Sequence, residues 1–135
     1  MNDIELLQYV HETAEMGIRG LSSLDGQVRD DGLRRVLGQQ SAEYRRIADQ
    51  AEQLLRSLGE EPRDPGLLAK VSAEVLSTVK TLADPSPSNI AEMVIQGNTM
   101  GAAKSTRHLG DYSGCSREIR NLAERLLHTE EANAA

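Results

Sequence analysis

The sequence predicts an all-α protein, an antiparallel up-and-down bundle of four principal helices with its third arm broken at Pro85–Pro87. Three observations carry this. Apolar residues recur at three- and four-residue spacing along most of the chain. Strand-favouring residues are scarce, with three tyrosines and neither phenylalanine nor tryptophan. Glycine, proline and aspartate gather where one apolar stripe ends and the next begins. A length of 135 residues suits one domain over 1–135, with a core of Leu, Ala, Val and Ile.

The first helix is marked by Ile4, Leu7, Val10, Ala14, Ile18, Leu21 and Leu24, with Glu5 and Glu12 on the opposite side and Gly26 as its stop. Asp30 and Asp31 supply an N-cap and early negative charge for a second helix. Leu33, Leu37, Tyr44, Ala48, Ala51, Leu55 and Leu58 form its buried face, and Gly59 ends it. Two long helices with a short link make an antiparallel hairpin. Asp64-Pro65 restarts the chain, with Leu68, Val71, Val75, Val79 and Leu82 as a narrow stripe. Asp84-Pro85-Ser86-Pro87 breaks that arm, because a proline inside a helix removes a donor and clashes with the preceding turn. The spacing of Asn89 and Glu92 predicts a capping box at the restart and a run to about Leu109. Gly110 to Gly114 then read as a turn. Ile119, Leu122, Ala123 and Leu126 mark a last helix, expected to continue past Ala135.

Composition excludes several function classes. No apolar run is long enough for a transmembrane helix or a signal-peptide core, and Met1 to Glu5 carry no basic residue. The lone Cys115 excludes an internal disulfide framework and a cysteine-based zinc site. A net charge of −6 is the wrong sign for nucleic acid or an anionic membrane, and aromatics for base stacking are nearly absent. Arg34, Arg35, Arg45 and Arg46 fall on the outer side of the second helix. The spacings Arg45–Asp49 and Glu52–Arg56 suit ordinary surface ion pairs. The expectation is a cytoplasmic protein that binds neither nucleic acid nor membrane.

Leu6-Leu7, Gly17-Ile18-Arg19-Gly20, Asp30-Asp31-Gly32-Leu33, Gln40, Glu43-Tyr44 and Leu58 to Asp64 resemble the small bacterial ferritin-like four-helix domains, and the stretch Asn89 to Gly101 is similar to a segment of hypothetical proteins common in anaerobic Gram-positive bacteria. The resemblance spans most of the chain. It implies a closed antiparallel bundle with a long crossover or bent third arm, and does not imply iron chemistry.

A di-iron bundle needs inward glutamates and Glu-x-x-His pairs, so that carboxylates balance two hard cations. Here Glu43 is followed three places later by Arg46, Glu124 by Leu127 and Glu130 by Asn133. His128 falls one place late. Glu5, Glu12 and Glu92 project away from the apolar stripes, and Glu15 only flanks one. No metal or other cofactor is therefore expected. An irregular site built from His11, Glu43 and Glu130 is the competing possibility. His11, beside the first stripe, reads as a boundary histidine bonded to a neighbour or to water rather than a general base. His108 reads as a residue satisfying a free carbonyl near its helix end, and Cys115 as a plain thiol.

The stretch Met93 to Ala103 is the least ordinary, since its apolar and small residues cover almost the whole helical circumference. Gly97 and Gly101 stand four apart, and helical glycines cost about 0.5–1 kcal/mol each relative to alanine, so a packing reason is expected. Either the segment packs tightly within one bundle, or Met93, Ile95, Gly97, Met100 and Gly101 form a contact with a second copy. The expected function is a non-catalytic structural or interaction module acting as a homodimer. A small-ligand-binding bundle is a further class, and would require a cavity between helices.

Overall fold

The computed structural model describes residues 1–63 and 86–134. They form four helices: α1 (Asp3–Leu24), α2 (Asp31–Ser57), α3 (Pro87–Asp111) and α4 (Arg117–Ala134). Asn2 starts α1 through a reciprocal capping box. Its side chain accepts from the Glu5 N–H at 2.8 Å, and the Glu5 carboxylate accepts from the Asn2 N–H. Leu6 to Val10 are all buried, a wider burial than the expected stripe. The cause is that α1 packs against each of the other three helices. Leu24 is the last helical residue; its carbonyl accepts from both Gln27 and Val28, turning the chain at Gly26.

Asp30 caps α2 as expected, accepting from the Leu33 N–H at 2.8 Å. At the other end Gly59 has φ +77°, a conformation that a side chain resists. It lets Glu60 N–H reach the Leu55 carbonyl and Gly59 N–H reach that of Arg56, closing the helix with a Schellman motif. Gln8 of α1 then holds the departing chain with both halves of its amide. It donates to Glu61 O at 2.8 Å and accepts from Arg63 N–H at 2.9 Å.

The start of α3 differs from the expected one. Ser86, not Asn89, is the N-cap, extended and accepting from the Asn89 N–H at 3.3 Å, with Pro87 at the first helical position. Proline there has the helical φ preset and lacks only a donor that no partner awaits, so the helix begins three residues early. It also runs through Asp111, taking in part of the expected turn. The expected first piece of the third arm, from Asp64 to Leu82, lies outside the described residues. Ser116 begins α4, its hydroxyl accepting from Ile119 N–H.

α1 with α2, and α3 with α4, are two antiparallel hairpins of an all-α four-helix bundle. Their relative direction is fixed at the ends. The Met1 ammonium donates to the Asp111 carbonyl at 2.8 Å, Ser113 N–H donates to Met1 O, and the Tyr112 hydroxyl donates to Asp3 at 2.6 Å. At the opposite end Ile90 packs with Leu24, Val28 and Leu37. So α3 runs against α1, and Arg63 and Ser86 stand at opposite ends of the bundle. The main apolar cluster draws on α1, α2 and α4, including Leu7, Val10, Ile47, Leu55, Leu122 and Leu126.

Gly17 has a packing reason and Gly20 has none. An added Cβ at Gly17 would lie 2.9 Å from two ring carbons of the buried Tyr44, while one at Gly20 would meet none of the described residues within 4 Å. Gly17→Ala is expected to destabilise by about 1–3 kcal/mol through overpacking. Gly20→Ala is expected to stabilise by about 0.5–1 kcal/mol through helix propensity. Denaturant unfolding of both variants measures the pair, and shifts of the same sign would contradict the seating of Tyr44 on Gly17.

Candidate functional site

The inward face of α3 is polar. Ile90 and Val94 begin it, but Asn98, Gly101 and Ser105 continue it at helical spacing, and Asn98 and Ser105 are buried. Each meets a polar side chain from another helix. The Tyr44 hydroxyl of α2 donates to Asn98 Oδ1, and Asn98 Nδ2 donates to the Val94 carbonyl at 2.8 Å, so this buried amide has a partner at each end. The Ser105 hydroxyl donates to Glu130 Oε1 of α4 at 2.5 Å and shares a 2.8 Å bond with the Tyr9 hydroxyl of α1. With Ser105 donating to the carboxylate, Tyr9 is the donor to Ser105. All four helices thus contribute to one buried polar seam.

Gly101 makes room for it. A Cβ there would overlap Glu130 Oε2, so the carboxyl rests directly on the α3 backbone. Glu130 is 2% exposed. Burial pushes its pKa up to about 7, against the lowering effect of the Ser105 hydrogen bond. Burial likewise raises the Tyr44 phenol to about 12, with a nearby Asn133 side chain acting in the other direction. Tyr9 is raised too, chiefly by burial. Both phenols are neutral donors throughout the physiological range.

The sequence candidates separate. Glu43 lies at the surface, accepting from Arg125 at 2.7 Å and from Arg46 at 2.9 Å. The Arg125 hydrogen bond, first, and then Arg46 hold its carboxyl below the usual range against partial desolvation. His11 is half-buried, and its Nδ1 has no hydrogen-bond partner among the described residues. Glu130 alone is inside. Among the described residues no three His, Cys, Asp or Glu side chains gather as a metal would require, so His11, Glu43 and Glu130 do not form the irregular site. His108 lies with its ring centroid 4.0 Å from that of Tyr9, and burial, then Lys104, lowers its pKa. Cys115 is exposed. Glu52 pairs with Arg56 at 2.8 Å as expected, but the Arg45–Asp49 pair does not form among the described ion pairs.

The five candidate contact residues of α3 also separate. Met93 packs against the Leu24–Ile90 cluster, and Gly101 faces inward under Glu130. Gly101 is therefore no part of an outer contact surface. Ile95, Gly97 and Met100 face outward, Met100 at 75% exposure. A concavity of about 480 Å³ is lined wholly by α4, by Asn121, Glu124, Arg125, His128, Thr129 and Ala132, and so is not an interhelical cavity. The seam itself was missed in the sequence. Its signal was the line through Ile90, Val94, Gly101 and His108, on which Asn98 and Ser105 also fall.

No protein-family model, curated protein or solved structure matches this chain.

Tyr44→Phe removes the donor to a buried amide oxygen and is expected to cost about 1–3 kcal/mol. Adding Asn98→Ala should cost less than the sum of the two single changes, since the lost partner is already gone. A double-mutant cycle by urea unfolding reads the coupling, and additive costs would contradict the bond.

Proposed function

We propose that this chain is a non-catalytic helical-bundle module that works by protein interaction, pairing with a second copy of itself through the outer face of α3. The observation that carries this is the reversal of α3. Its polar residues Asn98 and Ser105 are inside, while Ile95 and Met100 are 38% and 75% exposed. No residue from Met93 to Ala103 is charged, in a chain where 27% of residues are. Thr99 donates its hydroxyl to the Ile95 carbonyl of its own helix, so its polar hydrogen is already spent. Gly97 is exposed, and no described residue lies within 4 Å of where its Cβ would be, which lets a second backbone approach closely.

A second copy fits this face better than a different protein does. The strip has no charge for a complementary partner to match, and a two-fold axis lays one apolar strip on its own image. The cytoplasmic setting belongs to this proposal, as does the ferritin-like plan. The first is supported by a single unpaired cysteine and by the absence, among the described residues, of any helix able to cross a membrane. The second is supported by two antiparallel hairpins with α3 set against α1.

Sedimentation velocity across a range of concentrations is expected to show a dimer for the wild type. Met100→Glu and Ile95→Glu should shift it to monomer with unchanged helicity by circular dichroism, because each lays a charge against its own image. A wild type that stays monomeric at high concentration, or dimers indifferent to both substitutions, would reject the interface.

A further inference from the structure

Glu130 is the only acidic or basic residue in the buried set among the described residues. Its carboxyl has no ion-pair partner there. The described groups around it are neutral: the Ser105 hydroxyl, the Tyr9 hydroxyl beyond that, and the Gly101 backbone. The titratable groups facing it are Tyr9 from α1 and Tyr44 from α2. From α3, Lys104, Arg107 and His108 gather around Tyr9 and do not reach the carboxyl. On α4 itself the adjoining Glu131 is exposed. A carboxylate shut away from water without a cation is costly, and a neutral carboxyl is not.

We propose that Glu130 is a proton-operated latch between α3 and α4, closed when its carboxyl is neutral and loosened when that carboxyl ionises. The geometry makes the latch local. The carboxyl lies in a slot that exists only because Gly101 lacks a Cβ, so a hydration shell for the charged form has no space unless α3 and α4 part. The Ser105 hydroxyl reduces the cost of ionisation without removing it. Burial accordingly sets the folded value at about 7, against an ordinary 4.5. The sign follows from proton linkage. Between those two values the folded chain holds a proton that the unfolded chain has released. The stability from the neutral latch is complete below about pH 4.5, declines as pH rises towards about 7, and is lost above it.

The test is urea unfolding of the full chain between about pH 5 and about pH 8, for the wild type and Glu130→Gln. The amide is neutral at every pH and keeps an oxygen for Ser105. The wild-type unfolding constant is expected to rise by up to on the order of a hundredfold across the window, and that of the variant to stay nearly flat. Amide exchange, corrected for its intrinsic pH dependence, should rise in α3 and α4 of the wild type alone. Parallel pH profiles for the two proteins would overturn the proposal. If Glu130→Gln does not fold, carbon-13 titration of the wild-type Glu130 carboxyl decides: a midpoint near 7 supports the latch, and one near 4.5 overturns it.

Discussion

The Glu130 carboxyl lies on the backbone of Gly101 and takes a hydrogen bond from Ser105, one turn further along the same helix. That contact constrains α3 in both directions. The missing Cβ sets how closely α4 approaches, and the hydroxyl sets where along α3 the carboxyl must lie. The first hairpin uses the same device. The Tyr44 ring of α2 packs against Gly17 of α1, and its hydroxyl crosses to Asn98 of α3. Each hairpin thus has a glycine on one helix and a bulky polar side chain on the other, and both side chains end on α3. Glycine inside a helix costs stability. At Gly17 and Gly101 a neighbouring side chain occupies the space the glycine leaves.

The consequence is a bundle held differently along its length. α1, α2 and α4 share an apolar cluster, to which α3 adds partly buried Leu109. Among its apolar residues only Ile90 is fully buried, in the smaller cluster at the other end. Between those ends α3 is secured mainly by hydrogen bonds. A hydrogen bond exchanged for one to water contributes only about 0.5–1.5 kcal/mol net, while leaving a buried partner unmade costs more. The seam therefore adds little to total stability and penalises wrong arrangements heavily. With its polar residues turned in, α3 has its remaining apolar side chains, Ile95 and Met100, on the outside.

Most of the helices were legible in the sequence because their signals are local. Asp30 before α2 and Gly59 after it act through the adjacent backbone, and each lies where it was expected. The start of α3 was misplaced because two capping groups, Ser86 and Asn89, compete, and the preset φ of Pro87 favours the earlier one. The seam was not legible for a different reason. Periodicity identifies an inward face by its apolar residues, and the α3 face is apolar only at Ile90 and Val94. Gly97 and Gly101 look equivalent at a spacing of four, yet one opens to solvent and the other lies under a carboxyl. Only the position of α4 distinguishes them. By sequence Glu130 reads as a metal-ligand candidate beside His11 and Glu43. Its surroundings, two hydroxyls and a glycine, come from helices that no sequence spacing connects.

Composition explains why α3 needs a polar seam to be placed at all. From Gly97 to Ala103 it offers two glycines and two alanines, side chains too small to interdigitate with a neighbouring helix. An apolar contact of that kind changes little if the helix slides by a turn, because small residues meet small residues in either position. A slide of one turn moves α3 by about 5.4 Å. No interhelical bond of the seam survives such a displacement, and Asn98 Oδ1, Ser105, the Tyr44 hydroxyl and Glu130 would lose their partners from the facing helices. Replacing the seam with leucines would bury more apolar surface and remove that penalty, so a more stable bundle would be a less specific one. The register of α3 is set by what the wrong positions would leave unsatisfied.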